Sequence, residues 1–379
     1  MTFRTVGELI TKAKIEKCGD SKYPVLSMTM HDGIVFQDER FKKQIASIDQ
    51  STYNVVHRNQ LVVSFPIDEG VLAVQDITDA GIVSPAYKIW DVDQAEVIPK
   101  YLEMFLRSPH SIQYYKSKLR GSTARRRSIT DVDLLGMEIP LGTKDEQTSI
   151  LNILEHTKRL INIRKQELAK LDELIKARFV EMFGDPELNP KGWEKALLKN
   201  HAEVLVGYPF PSEGYSEEGI DIVGGYNLMQ GYIKWDDSKH WLNETGYEQY
   251  LLQANDIVMA MDRPWVNGGF KIARVDAKHL PALLIQRTAC IRGKGLRQEF
   301  LHILLDSQRF AEHCNITGSL VPHISNKDIN SFKVILPPME LQNDFASFAA
   351  QVDKSKAQVQ KALDETQLLF DSLMQEYFG

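Results

Sequence analysis

Residues Glu181 to Pro190 read EMFGDPELNP, and residues Glu376 to Gly379 read EYFG. Each Phe-Gly pair closes a long charged stretch with an apolar stripe. In the first stretch Ile150, Leu154, Thr157, Ile161, Arg164, Leu168, Leu171 and Ile175 recur at alternating steps of four and three, the seam of a coiled-coil helix. Adding 195 to each number gives Phe345, Ala349, Val352, Lys356, Val359, Leu363, Thr366 and Phe370, so a second helix keeps the same register. Gly184 followed by Pro186 and Pro190 is the punctuation that stops a helix. A helix ending written twice points to a longer repeat.

That repeat runs through most of the chain. GSTARRRSITDVDLLGMEIPL from Gly121 aligns without a gap to GSLVPHISNKDINSFKVILPP from Gly318, an offset of 197 that pairs Gly, two Ser, Asp and Pro. Gln147 pairs with Gln342, and Glu181, Phe183 and Gly184 pair with Glu376, Phe378 and Gly379, at an offset of 195. Upstream, YLEMFLRS is similar to FLHILLDS, NQLVVS to NDIVMA, and VLSMTMHDGIV to VGGYNLMQGYI. Before each helix, short runs rich in Val, Ile, Tyr and Phe lie between Gly, Pro and Asp breaks and read as strands and turns. Asn59 to Ser64, Gly81 to Trp90, Asp256 to Met261 and Ala282 to Ile291 are examples. The expected architecture is α+β: globular domains at 1–144 and 193–339, a long helix at 145–183, a turn at 184–192 and a second long helix at 340–379. Polar seam members such as Arg164 and Lys356 make each helix a weak dimeriser alone, and the obvious partner is the other helix, in an antiparallel pair. At ~1.5 Å per residue, a helix of roughly 37 residues runs about 55 Å, which would hold the two domains apart.

Composition bounds the function. The chain has 379 residues, 43% hydrophobic and 25% charged, enough for two or three domains with real cores. Three scattered cysteines suggest neither a disulfide framework nor a zinc site. The start, MTFRTVGELITKAK, lacks the apolar core of a signal peptide, and no run approaches a membrane span, so a cytoplasmic protein is expected. A net charge of −6 argues against indiscriminate coating of nucleic acid and leaves room for a basic face.

The duplicated plan resembles the specificity subunit of a type I restriction-modification system. The residues that carry the resemblance are IPLGTKDEQTSILNILEHTKRLINIRKQELAKLDELIKARFVEMFGD after the first domain and ILPPMELQNDFASFAAQVDKSKAQ after the second. The resemblance implies two target-recognition domains, each reading one half of a bipartite double-stranded DNA site. It also implies no catalysis by this chain. Methyltransferase subunits, expected to be two, would bring S-adenosylmethionine, and restriction subunits, where present, ATP and Mg. One departure is that the second domain has a longer lead, through VLVGYPFPSEGYSEEG, than the first.

Candidate DNA-binding residues follow from local chemistry. KSKLRGSTARRRS, Lys116 to Ser128, has six basic residues and no acidic one. Arg125, Arg126 and Arg127, with Ser122 and Thr123, suit phosphates or guanine, or else form a solvated loop. The matching GSLVPHIS offers Ser319 and His323 without the arginines, so the two halves should read different bases. MDRPWVNGG reads as a hairpin tip presenting Arg263 and Trp265, either an exposed contact or a core Trp. Gln286 and Arg287 interrupt an apolar run, and Gln suits adenine as Arg suits guanine. GGYNLMQGY supplies Tyr226 and Asn227, and its first-half counterpart SMTMHDG supplies Thr29 and His31. Asn at such a turn is often structural, and His31 has no second ligand at metal spacing. No phosphate loop, HExxH or G-x-S-x-G occurs, and LPPM has Leu336 where an adenine methyltransferase motif has Asn. The rival expectation is a coiled-coil scaffold whose domains bind other proteins, and a self-contained nuclease or methyltransferase stands below both.

Overall fold

A computed structural model describes residues 2–30, 32–40, 49–119, 127–266, 269–316 and 322–379. It divides into two compact units, Met1–Lys165 with Lys361–Gly379, and Gln166–Gln360. The long helices Lys144–Phe183 and Met339–Phe378 are therefore not bodies of their own. Each contributes one part to each unit.

Unit 1 holds a four-stranded antiparallel sheet in the order Ile10–Lys12, Lys88–Val92, Leu61–Val63, Leu72–Val74. A three-stranded sheet, Glu16–Lys17, Asn54–His57, Ala80–Val83, accompanies it. Unit 2 repeats the first sheet as Ala202–Val206, Thr288–Gly293, Ile257–Ala260, Ile272–Arg274. Its second sheet has four strands, with Ile220–Val223 parallel to Ala282–Leu284. The central strands are apolar at successive positions because both faces are covered. Ile257 and Met259 face one core while Val258 and Ala260 face another. Leu61 and Val63 are likewise separated from Val62. The runs Gly81 to Trp90 and Ala282 to Ile291 are each two strands of different sheets, broken at residues 84–87 and 285–287.

Just before each long helix a strand closes back on the start of its unit. Glu138–Leu141 pairs with Thr2–Thr5, and Lys333–Leu336 with Glu194–Leu197. A capping box precedes each strand. Thr130 Oγ1 accepts from Asp133 N at 3.1 Å, and Ser325 Oγ from Asp328 N at 3.2 Å. These boxes and strands correspond at an offset of 195, which corrects the gapless 197 read across this region. Nine positions separate Gly121 from the cap at Thr130 but seven separate Gly318 from Ser325, so the first half carries two extra residues there. Pro140 therefore corresponds to Ile335 and not to Pro337.

The repeated glutamines are buried clips. Gln147 accepts from Ile98 N at 2.8 Å and donates to Glu96 O and Gly142 O at 3.0 Å. Gln342 accepts from Arg297 N at 3.0 Å and donates to Pro337 O at 2.9 Å. Ile98 and Arg297 are the N-caps of Pro99–Leu106 and Gln298–Leu305, so one side chain ties the start of a long helix to the start of a core helix.

The helix seams are satisfied within each unit. Ile150, Leu151 and Leu154 share the core of unit 1 with Met374 and Phe378, so the two helix segments there run antiparallel. In the same unit Arg164 donates to the carbonyl of Ala362. In unit 2, Lys356 meets Asp172 at 2.5 Å, and Ile175, Phe179 and Phe183 pack with Phe345 and Val352. Phe183 lies 4.8 Å from the ring of Phe300, and Phe378 lies 5.2 Å from Tyr101, the residue of unit 1 corresponding to Phe300. Gly184, at φ 77°, ends the first helix in the left-handed conformation. Asp185 Oδ1 accepts from Glu187 N and Leu188 N, and the Asn189 side chain holds both N and O of Trp193. The turn brings the Trp193 indole N–H onto Phe183 O at 2.9 Å.

Truncating a clip strands buried backbone groups. Gln147→Ala should lower the stability of unit 1 by about 1–3 kcal/mol and Gln342→Ala that of unit 2 by a similar amount. Hydrogen exchange, read separately over Leu61–Val63 and Ile257–Ala260, checks this. Equal loss of protection in both units from either change would contradict it.

Candidate nucleic-acid interface

Three segments of unit 2 are stitched together by backbone bonds at one end of its first sheet. Met261 N donates to Arg287 O at 2.9 Å, Ile324 N to Met261 O at 2.8 Å, and Arg263 N to Pro322 O at 3.0 Å. Asp262 and His323 form an antiparallel bridge. Arg263 and Arg287 adopt positive φ, 46° and 63°, an uncommon backbone for residues other than glycine. These turns bring Arg263, Gln286, Arg287 and His323 to one exposed edge, although they lie far apart in sequence.

The hub of that edge is a carboxylate the sequence reading passed over. Asp262 Oδ2 lies 3.1 Å from Arg287 Nη1, and Oδ1 lies 2.5 Å from His323 Nδ1. The Arg287 side chain is 73% exposed and that of His323 56%, so both keep donor or acceptor atoms free for a ligand. Asp262 sits inside the quoted MDRPW, but its neighbours arrive from two other segments.

Other candidates fall elsewhere. Asn227 is fully buried; its Oδ1 accepts from Gly224 N at 2.9 Å and its Nδ2 donates to Ile222 O and Ser238 Oγ. That corrects its place among contact residues, because no surface of it is left to touch a ligand. Tyr226 braces the same turn through Ile222 O and Lys239 N, and burial pushes its phenol up to about 12. Trp265 packs on the core with its ring 4.8 Å from Phe270, edge to face, so the core alternative holds for it. Thr29 is half-buried and closes a hairpin, donating to Gly33 O and accepting from Asp32 N. Arg127 is held by Asp68 at 2.9 Å and Glu69 at 2.8 Å, so a phosphate would compete with two carboxylates. His31, Ser122, Thr123, Arg125, Arg126 and Ser319 lie outside the described residues.

The corresponding edge of unit 1 is built differently. Strand register makes Ala86 the counterpart of Arg287 and Pro66 that of Asp262. The capping boxes make Ser128 the counterpart of His323. The bond from Ile67 N to Arg127 O, 3.1 Å, matches that from Arg263 N to Pro322 O. Phe65, Ala86 and Ser128 line a cavity of about 490 Å³ there.

A second cavity, about 870 Å³ within unit 2, is lined by Asp172, Arg274, Glu299, His302, Asp306 and Lys356 among others. Two of its cations are paired within it: Arg274 with Glu299 and Asp353, and Lys356 with Asp172. Burial pushes the His302 imidazole down to about 3 and the Asp306 carboxyl up to about 6. Among the described residues no group of His, Cys, Asp or Glu is arranged to hold a metal ion. Cys18, Cys290 and Cys314 are separate buried thiols, and among the described residues no helix is long and apolar enough to cross a membrane.

No family model matches the chain. Among curated proteins it is 31% identical over 232 residues to the type I restriction enzyme EcoAI specificity subunit of Escherichia coli, covering 59% of this chain and 38% of that one. It is 26% identical over 301 residues to the MjaVIII specificity subunit of Methanocaldococcus jannaschii, 72% of this chain and 69% of that one. The match thus spans well under half the length of the Escherichia coli relative. Among solved structures, the type I restriction-modification S subunit from M. genitalium aligns with a TM-score of 0.57 at 16% identity, over all of this chain and 96% of that one. A chain solved in work on assembly and conformational transition of the type I system aligns at 0.55, also at 16% identity, over all of this chain and 97% of that one. The curated relatives are specificity subunits, and the mixed α/β fold is that of S subunits.

Proposed function

We propose that this chain is the sequence-specific DNA-binding subunit of a type I restriction-modification complex. Its globular parts, 1–144 and 193–339, are the two target-recognition domains, each reading half of a bipartite site. The observation that carries this reading is that two units with the same framework place unlike residues at one equivalent edge: Asp262, Arg287 and His323 in unit 2, and Pro66, Ala86 and Ser128 in unit 1. A scaffold binding one kind of partner twice would need like edges. The curated relatives, named as specificity subunits, support the same reading.

On this reading the chain supplies specificity and no chemistry. Methylation of adenine belongs to partner methyltransferase subunits carrying S-adenosylmethionine, and cleavage to ATP- and Mg-dependent restriction subunits where these occur. The paired helices serve as the spacer between the two readers, in a cytoplasmic assembly.

Expressed with its methyltransferase partner, the chain should produce adenine methylation at one split motif, read by single-molecule methylome sequencing. Alone it should transfer no methyl group and cut no DNA. Robust activity of the isolated chain, or methylation without a motif, would overturn the reading. In the same assay, four residues inserted into each long helix, between Ile163 and Gln166 and at the equivalent place between Gln358 and Lys361, add ~6 Å, close to one helical turn and to two base pairs at ~3.4 Å each. Both half-motifs should persist with a longer spacer. A folded variant confined to the original spacing would mean that the helices do not set the distance.

A further inference from the structure

The internal repeat separates framework from reader without any second sequence. Between the halves the glutamine clips, the capping boxes and the helix-ending phenylalanines are kept. At the stitched edge every member of the unit 2 cluster is replaced: Asp262 by Pro66, Arg263 by Ile67, Gln286 by Pro85, Arg287 by Ala86 and His323 by Ser128. Core positions also change between the halves, but they stay apolar or aromatic, as Tyr101 and Phe300 do, whereas here a charged, hydrogen-bonded cluster gives way to Pro, Ile, Ala and Ser.

The chemistry of the unit 2 cluster then narrows its target. An arginine intended for phosphate gains nothing from an adjacent carboxylate, which repels the same phosphate. An arginine held by one nitrogen presents its other N–H groups in a fixed direction, which is what bidentate reading of guanine O6 and N7 requires. Asp262 grips Arg287 through Nη1 and leaves the rest of a guanidinium whose side chain is 73% exposed. Its second oxygen faces His323 Nδ1, and because a carboxylate only accepts, Nδ1 carries the hydrogen. In the neutral ring Nε2 is then an acceptor, suited to the amino group of cytosine. One carboxylate thus sets a donor edge and an acceptor atom side by side, the complement of a G·C pair in the major groove.

We propose that Asp262 is a positioning residue that holds Arg287 and His323 to read one G·C base pair in the half-site of unit 2. The inference rests on the specificity reading above and goes further by naming the base pair and the three residues.

Competition binding by the purified complex of this chain with its methyltransferase partner, on DNA varied one base pair at a time, tests it. Asp262→Asn should reduce discrimination about tenfold or more at a single G·C position, leaving neighbouring positions and the other half-site unchanged. Arg287→Ala and His323→Ala should relax that same position, which keeps the test open if the Asp262 variant folds poorly. In a background carrying both Arg287→Ala and His323→Ala, Asp262→Asn should add little, as expected of a residue acting through those two, and in the otherwise unaltered chain Asp262→Glu should keep part of the discrimination that Asp262→Asn loses. The inference is overturned if Asp262→Asn leaves every preference intact, if it weakens all sequences alike, or if Arg287→Ala and His323→Ala relax different positions or none. A wild-type complex without any sequence preference would sink the specificity reading and this inference together, whereas preferences unchanged by the variants sink the inference alone.

Discussion

Neither core is closed by its own globular residues. The core of unit 1 takes in Met374 and Phe378 from the end of the second long helix, and that of unit 2 takes in Phe179 and Phe183 from the end of the first. Each helix also leaves its opening turns behind, Ile150 and Leu154 in unit 1 and Phe345 in unit 2. A ring such as Phe378, buried to 1% exposure, is the kind of side chain whose truncation costs about 3–5 kcal/mol. The repeated Phe-Gly ending is therefore a docking plug: the phenylalanine fills a slot among Tyr101 and Phe105, or Phe300 and Phe345. At Gly184 the glycine lets the chain turn sharply after it.

This reciprocity explains why the framework was legible in sequence. A plug and its slot are constrained by packing on all sides, so Phe183 and Phe378 sit 195 positions apart with their helices in register. The glutamine clips recur at the same offset because nothing else of that size both accepts from an N-cap amide and donates to a carbonyl. Where the constraint weakens, the repeat loses its register. Gly-Ser pairs at 121 and 318 suggest a gapless alignment, but the capping boxes show two extra residues between Gly121 and Thr130, outside the elements that the packing constrains.

The candidate interface was legible only in part, for the opposite reason. Arg263, Gln286, Arg287 and His323 stood out as polar residues interrupting apolar runs, and the fold gathers them at one edge. Asp262 did not stand out, because an isolated acid next to a turn is ordinary until the strands bring Arg287 and His323 to its two oxygens. Asn227 and Trp265 have the residue types of base readers yet serve a buried turn and a core. Residue type suggests chemistry, while burial decides whether the chemistry faces a ligand.

The exchange of helix ends can be tested by removing one of them. Hydrogen exchange on a chain ending at Gln360 removes the plug and seam of unit 1 while leaving every residue of unit 2 in place. The expected result is loss of amide protection over Leu61–Val63 and Lys88–Val92 together with retained protection over Ile257–Ala260 and Thr288–Gly293. Full protection of the unit 1 strands without Lys361–Gly379, or equal loss in both units, would contradict it.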